Sequence, residues 1–225
     1  IPRQLSPALA ELASVLISTL PRTPVAKLLT QEQFIRAYEC AELGCIANQQ
    51  RLAQLLADPD YDALHEYSVY FGKVATQIIC ISDLQSMEEL HFVAGNLNWD
   101  DHDPDMVRAI IEHPLCDAGT ALLLYWYGQG FYYSTPETLD TPFGQLFKNI
   151  TDRFIKRGYA SYKIHFDPIK ECFMPSLEDV LAQGYQIPGA LFAPYSTMEI
   201  ETDAGHPRYL QFKNELLKSG KWGNQ

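Results

Sequence analysis

A chain of 225 residues with 28 acidic against 17 basic side chains carries a formal net charge of −11. That balance removes any general electrostatic route to nucleic acid, which needs clustered Lys and Arg. Its 47% hydrophobic content is enough for the core of one large domain, and no apolar run approaches the ~18 residues of a membrane span.

Ser6-Pro7 ahead of Leu9, Leu12, Leu16 and Leu20 predicts a first helix that Pro21 and Pro24 end. Thr30 with Gln33 forms a capping box that opens a long helix, whose apolar face runs from Phe34 through Leu43 and Leu52 to Leu56, with Asp58-Pro59 as its stop. A third helix is expected from Tyr61 to Ile81, with a kink at Gly72. Ser86 with Glu89 makes a second capping box, and Gly95-Asn96 ends the helix it starts.

Asn98–Asp105 is polar and turn-forming, Pro104-Asp105 begins a short helix, and Asp117 caps a helix buried almost all round through Leu122, Leu123, Leu124, Tyr125 and Trp126. Thr141-Pro142 starts a helix through Phe154 and Ile155 that Gly158 ends. Tyr159–Phe166 and Met198–Thr202 alternate loosely as extended segments. Ser176 and Glu178 start a helix stopped by Gly184, and Pro207 opens a last one through Leu217. The reading is a mainly α, multi-helix single domain over residues 1–225, compatible with stacked helix pairs, with at most a few short strands in the second half.

The five cysteines are odd in number, form no C-x-x-C pair and have apolar neighbours. They argue against a disulfide framework and for a reducing, cytoplasmic setting. The chain begins at Ile1 rather than Met, which leaves open a removed leader.

Chemistry is sparsely signalled. Asp101, Asp103, Asp105 and Glu112 fall at calcium-loop positions, but Met106 replaces the turn glycine and Pro104 stiffens the loop, so a helix-capping turn is the better reading. No His pair has helical i, i+4 spacing, and His113 with Cys116 is a lone pair, so no metal site and no cofactor is assigned. There is no G-x-S-x-G elbow and no phosphate loop, so no catalytic residue is assigned. Glu88, Glu89 and His91 read as a solvated helix face, Glu199 and Glu201 as an acidic exposed face, and Trp99 and Trp126 as core. Tyr132 and Tyr133, after Gly128 and Gly130, read as partly exposed and able to anchor a partner.

One stretch carries a resemblance. Glu89-Leu90-His91, then Asn98-Trp99-Asp100-Asp101, then His113-Pro114-Leu115-Cys116-Asp117-Ala118-Gly119-Thr120-Ala121-Leu122, then Tyr125-Trp126 and Gly130 resemble a bacterial family known as domain of unknown function 4274. The resemblance covers about a fifth of the chain, residues 88–130. It departs from the family at His102, where glycine is common.

Proteins similar to this family include immunity proteins that neutralise effector toxins, among them effectors of type VI secretion. The resemblance therefore implies a non-enzymatic, cytoplasmic protein that binds a cognate toxin, a nuclease among the candidates, and covers its active site. An acidic surface suits a basic partner. The expected contact residues are Asp100, Asp101, Asp103, Asp105, Tyr132, Tyr133, Glu199 and Glu201. The rival readings are a helical interaction scaffold and a metal-dependent hydrolase built on carboxylates and histidines. A homodimer is compatible with the aromatic content, without a legible seam.

Overall fold

The computed structural model describes residues 26–43, 45–101, 104–171, 177–185, 187–192 and 196–222. The expected Leu9–Leu20 helix, Cys172, Ser176, His102 and Asp103 lie outside the described residues.

The first capping box forms as expected. The Gln33 amide donates to Thr30 Oγ1 at 3.3 Å and the Thr30 amide to Gln33 Oε1 at 3.0 Å, opening α1 (Gln31–Glu42). The single long helix expected through Leu56 is instead two. Cys45 takes φ 57°, a left-handed conformation that no α-helix continues through. The backbone beyond it bonds elsewhere: the amides of Ile81 and Ser82 donate to the carbonyls of Ile46 and Ala47 at 2.9 and 3.1 Å. Asn48 then caps α2 (Gln49–Leu56) by accepting from the Arg51 amide at 2.9 Å.

The helix expected to run to Ile81 is also shorter. α3 is Ala63–Tyr70, and Gly72 at φ 63° terminates the helical path rather than kinking it. Two single 3₁₀ turns, Ala75–Gln77 and Ile81–Asp83, carry the chain onward. The second capping box opens α4 (Met87–Gly95), and α5 (Pro104–Glu112) follows the 3₁₀ turn Trp99–Asp101.

Asp117 caps α6 (Ala118–Tyr127), of which Ala118 to Trp126 are all buried. A short helix that the sequence did not announce, α7 (Pro136–Leu139), precedes α8 (Pro142–Ile155). Thr141 caps α8 at the expected place, with its Oγ1 accepting from the Gly144 amide at 3.1 Å. The remaining α-helices among the described residues are α9 (Pro168–Glu171), α10 (Leu177–Ala182) and α11 (Pro207–Lys218).

The chain is mainly helical. The segments expected to be extended meet only as isolated parallel bridges, Lys27 with Ile200 and Ile164 with Met198, and no strand or sheet is present among the described residues. Among the described residues no helix is long and apolar enough to cross a membrane. Cys40, Cys45, Cys80 and Cys116 are buried and free.

α4 and α6 form the middle of the packing. α1 lies on α4, α4 on α6, α6 on α8, and α11 closes over α1. An aromatic stack locks the α1, α4 and α11 junction: Phe34 lies flat on Tyr209 at 4.4 Å between ring centroids and meets Phe92 edge-on at 5.6 Å. The Tyr209 hydroxyl accepts from the Leu29 amide at 2.9 Å and donates to the Glu201 carbonyl at 3.1 Å. It thereby ties α11 to the two extended segments that border the polar cavity described next.

Candidate functional site

Two hollows flank Tyr127 at the end of α6, one aromatic and one polar.

The aromatic cleft has a volume of about 240 Å³ and is lined by Trp99, Tyr127, Gly128, Gln129, Tyr132, Tyr133 and Phe143. Local geometry accounts for it. A Cβ at Gly128 would fall 2.6 Å from the Trp99 ring and 2.5 Å from Phe147, so only glycine lets the indole lie against the end of α6. The 3₁₀ turn Tyr132–Ser134 then directs its two tyrosines differently. Tyr133 packs against Phe143 and Phe147 at 5.7 and 5.3 Å, while Tyr132 stays half exposed. Trp99 is partly buried and forms a wall of the cleft, whereas Trp126 is core and donates from Nε1 to the Leu191 carbonyl at 2.8 Å.

The structure divides the expected contact residues. Asp100 is exposed and is not part of the lining of the aromatic cleft, which Tyr132 and Tyr133 share with Trp99. Asp105 pairs with Arg108 and lines a different hollow, beside Arg51 and Tyr61. The backbone of Asp101 ends the 3₁₀ turn, and Asp103 lies outside the described residues.

Glu199 and Glu201 are not an exposed acidic face. Both are half-buried walls of the polar cavity. The reason is tertiary: their segment is pinned between Lys27, whose amide donates to the Glu199 carbonyl at 2.7 Å, and His165, whose amide donates to the Met198 carbonyl at 2.8 Å.

The polar cavity, about 290 Å³, went unread in the sequence. His91, Tyr127 and Leu123 form one side, and His165, Asp167, Lys170, Glu171, Glu199 and Glu201 contribute the polar remainder. The cap of α6 builds it. Asp117 Oδ1 accepts from the Gly119 amide at 2.8 Å and from the Ile164 amide at 3.1 Å, and Oδ2 accepts from the Lys163 amide at 2.7 Å. One buried carboxylate therefore both starts a helix and holds the segment leading to His165. Gly119 permits the approach, since a Cβ there would sit 2.2 Å from the Ile164 carbonyl oxygen.

Glu88, Glu89 and His91 are not a solvated helix face either. Their helix is enclosed between α1 and α6. Glu89 is fully buried, and its Oε1 accepts from Arg36 Nη2 at 2.7 Å. Glu88 meets Lys27 Nζ at 2.6 Å; burial alone would raise its carboxyl, but the hydrogen bond and charge of Lys27 outweigh this and hold it below the usual range. His91 is 3% exposed and its Nδ1 shares a hydrogen bond with Thr120 Oγ1 at 3.1 Å. Burial depresses its pKa to about 4, with Asp117 opposing weakly, so the ring is neutral at physiological pH.

In the polar cavity, His165 Nδ1 faces the Ser196 carbonyl, which can only accept, so Nδ1 carries a hydrogen. Nε2 lies 3.9 Å from Glu199 Oε1. Glu171 Oε1 accepts from the Asp167 amide at 2.8 Å. Desolvation, with the neighbouring charges of Glu199 and Asp167, raises the Glu171 carboxyl above its ordinary value against the opposing hydrogen bond from Asp167 and the pull of His165. Among the described residues no group of three or more His, Cys, Asp or Glu side chains is disposed to hold a metal ion.

No curated protein and no solved structure matches the chain. A family model does match part of it. The matched segment supplies α4 to α7, and with them His91, Trp99, Asp117, Gly119, Thr120, Tyr132 and Tyr133, so it contains both the aromatic cleft's principal rings and the residues that anchor the polar cavity. Residues 85–142, about a quarter of the chain, match the family described as Domain of unknown function (DUF4274).

Proposed function

We propose that this chain is a cytoplasmic immunity protein that binds a cognate effector toxin and occludes its active site. The observation that carries the reading is the aromatic cleft, where half-exposed Tyr132 meets Tyr133 edge-on at 5.4 Å and shares the lining with Trp99. Exposed aromatic rings seated on a rigid base supply large contact area at low entropic cost, which is how interface anchors work. The net charge of −11 suits a basic partner such as a nuclease, because it speeds encounter and disfavours acidic competitors. The matched family carries no assigned role, so the reading rests on the resemblance drawn from the sequence, with the cleft as a candidate surface for it.

The test is co-expression with the product of the adjacent gene, followed by co-purification and a growth assay. A stable complex with restored growth is the expected result. Tyr132→Ala and Asp100→Lys should each weaken the complex, the tyrosine by about tenfold or more, and the aspartate with a reduced dependence on salt. No toxicity and no complex would remove the immunity reading in favour of a helical interaction scaffold. A complex indifferent to both substitutions would move the contact surface elsewhere.

A further inference from the structure

Among the described residues no charged side chain lines the aromatic cleft; its walls are Trp99, Tyr127, Tyr132, Tyr133 and Phe143, with Gly128 and Gln129. An aromatic ring is partially negative on its face and partially positive at its edge. Tyr132 and Tyr133 stand at 87° to one another with centroids 5.4 Å apart, and two rings set that way enclose an angle bounded by a face of each. Tyr133 is fixed from behind by Phe143 and Phe147. Trp99 is wedged against the end of α6, where Gly128 leaves room for its six-membered ring. The buried Trp99 Nε1 has no hydrogen-bond partner, so ring contacts alone hold the indole in place.

The end of a helix acts in the same direction, independently of the rings. Tyr127 is the last residue of α6 and Gly128 its cap, so the negative end of that helix's dipole borders the cleft. Lys, Arg or His in a last turn often balances such an end, and α6 has no basic residue there. The Gly130 and Gln129 amides close the turn on the Tyr125 and Trp126 carbonyls at 2.7 and 3.1 Å, and the Gly128 carbonyl receives no hydrogen bond among the described residues. Ring faces, an unbalanced helix end and a net charge of −11 agree in sign. All three favour a positive occupant, and the lining supplies no cation of its own.

We propose that the aromatic cleft receives an arginine side chain of the protein partner, held by its charge against the ring faces rather than by an ion pair. The proposal rests on the reading of this cleft as the partner's contact surface and names what the partner places in it. Arginine is favoured over lysine because the lining offers no carboxylate to replace lost water. A guanidinium is more weakly hydrated than an ammonium and stacks flat on aromatic rings. Its in-plane N–H groups remain available to acceptors at the margin, where the Tyr132 hydroxyl and the Gln129 side chain make no hydrogen bond among the described residues. The volume of about 240 Å³ is room for one long side chain, not for a helix or a strand.

The experiment titrates the intact chain with N-acetyl-arginine N-methylamide and with the citrulline, lysine and leucine counterparts, following the Trp99 indole N–H and Tyr132 ring resonances by NMR. Citrulline keeps arginine's shape and lacks its charge. The arginine compound is expected to bind saturably, and about fivefold or more tightly than the citrulline one. Tyr132→Leu replaces a half-exposed ring with an apolar side chain, so folding is preserved. It should weaken arginine binding about fivefold and leave citrulline binding unchanged. Equal binding of arginine and citrulline, tighter binding of lysine or leucine, no saturable binding of arginine, or an unchanged arginine affinity in Tyr132→Leu would each overturn the proposal. The toxin reading fails separately. Arginine binding without a co-expressed complex removes the toxin and keeps the arginine site, whereas a stable complex with a cleft indifferent to arginine removes this proposal alone.

Discussion

Glu89 shows how much one side chain does in this molecule. Its Oε1 accepts from Arg36 Nε and Nη2 at 3.1 and 2.7 Å, and its Oε2 accepts from the Gln85 and Ser86 amides at 2.5 and 3.2 Å. It caps α4 and joins that helix to α1 at once. Breaking a buried pair by removing one partner leaves the other charge uncompensated. Glu89→Ala should therefore lower the unfolding free energy by about 3 kcal/mol or more, read by urea denaturation. Glu89→Gln keeps an acceptor for the amides and should lose less. Glu39 has the same design: both its oxygens meet Lys73 Nζ, at 2.8 and 2.6 Å, and Oε1 also takes the Ile79 amide at 3.2 Å. In sequence Glu89 belongs to an ordinary acidic first turn. It becomes a core residue only because Arg36, 53 positions earlier, is folded against it.

At the scale of elements, the start of α6 is the joint on which the second half of the chain is hung. Asp117 satisfies three backbone amides, two of them on the segment 163–164, and the Ala118 amide donates to the Ser161 carbonyl at 3.0 Å. Gly119 is there because backbone meets backbone, not for conformational freedom. Gly119→Ala must push Ile164 away and should cost about 3 kcal/mol. Thermal unfolding would measure the loss, and faster amide exchange at Lys163 and Ile164 would locate it. The aspartate and glycine of the family-like motif are thus legible as a cap and a close approach. Their shared object, a segment more than forty residues downstream, has no local signature.

For the whole molecule, the buried neutral His91 links stability to pH. Its folded pKa is about 4 against an ordinary value of 6.5. Between those values the unfolded chain binds the extra proton, so stability falls as pH drops from 6.5 toward 4 and levels off below. The loss from this group between pH 8 and pH 5 is about 2 kcal/mol. His91→Gln should show a correspondingly flatter profile than the parent in urea titrations at the two pH values. An equal slope in both proteins would place the acid sensitivity in other groups.

Four helix starts were readable because their physics is local. Thr30 with Gln33, Ser86 with Glu89, Asp117 with Gly119, and Thr141 with Gly144 each close a hydrogen bond within three residues. The partial exposure of Tyr132 was within reach, since glycines and a short turn constrain the chain there, but its sharing a cleft with Trp99, which the sequence reads as core, was not. The break at Cys45 was not readable, because its left-handed backbone follows from the pairing of Ile46 and Ala47 with Ile81 and Ser82. Nor was the polar cavity. His91, His165, Glu171 and Glu199 come from four separate segments with no shared period, and each alone looks like a surface residue. Local bonding depends on neighbours in sequence, whereas burial, charge pairing and cavity formation depend on neighbours in space, which only the packing of α4 and α6 against the extended segments supplies.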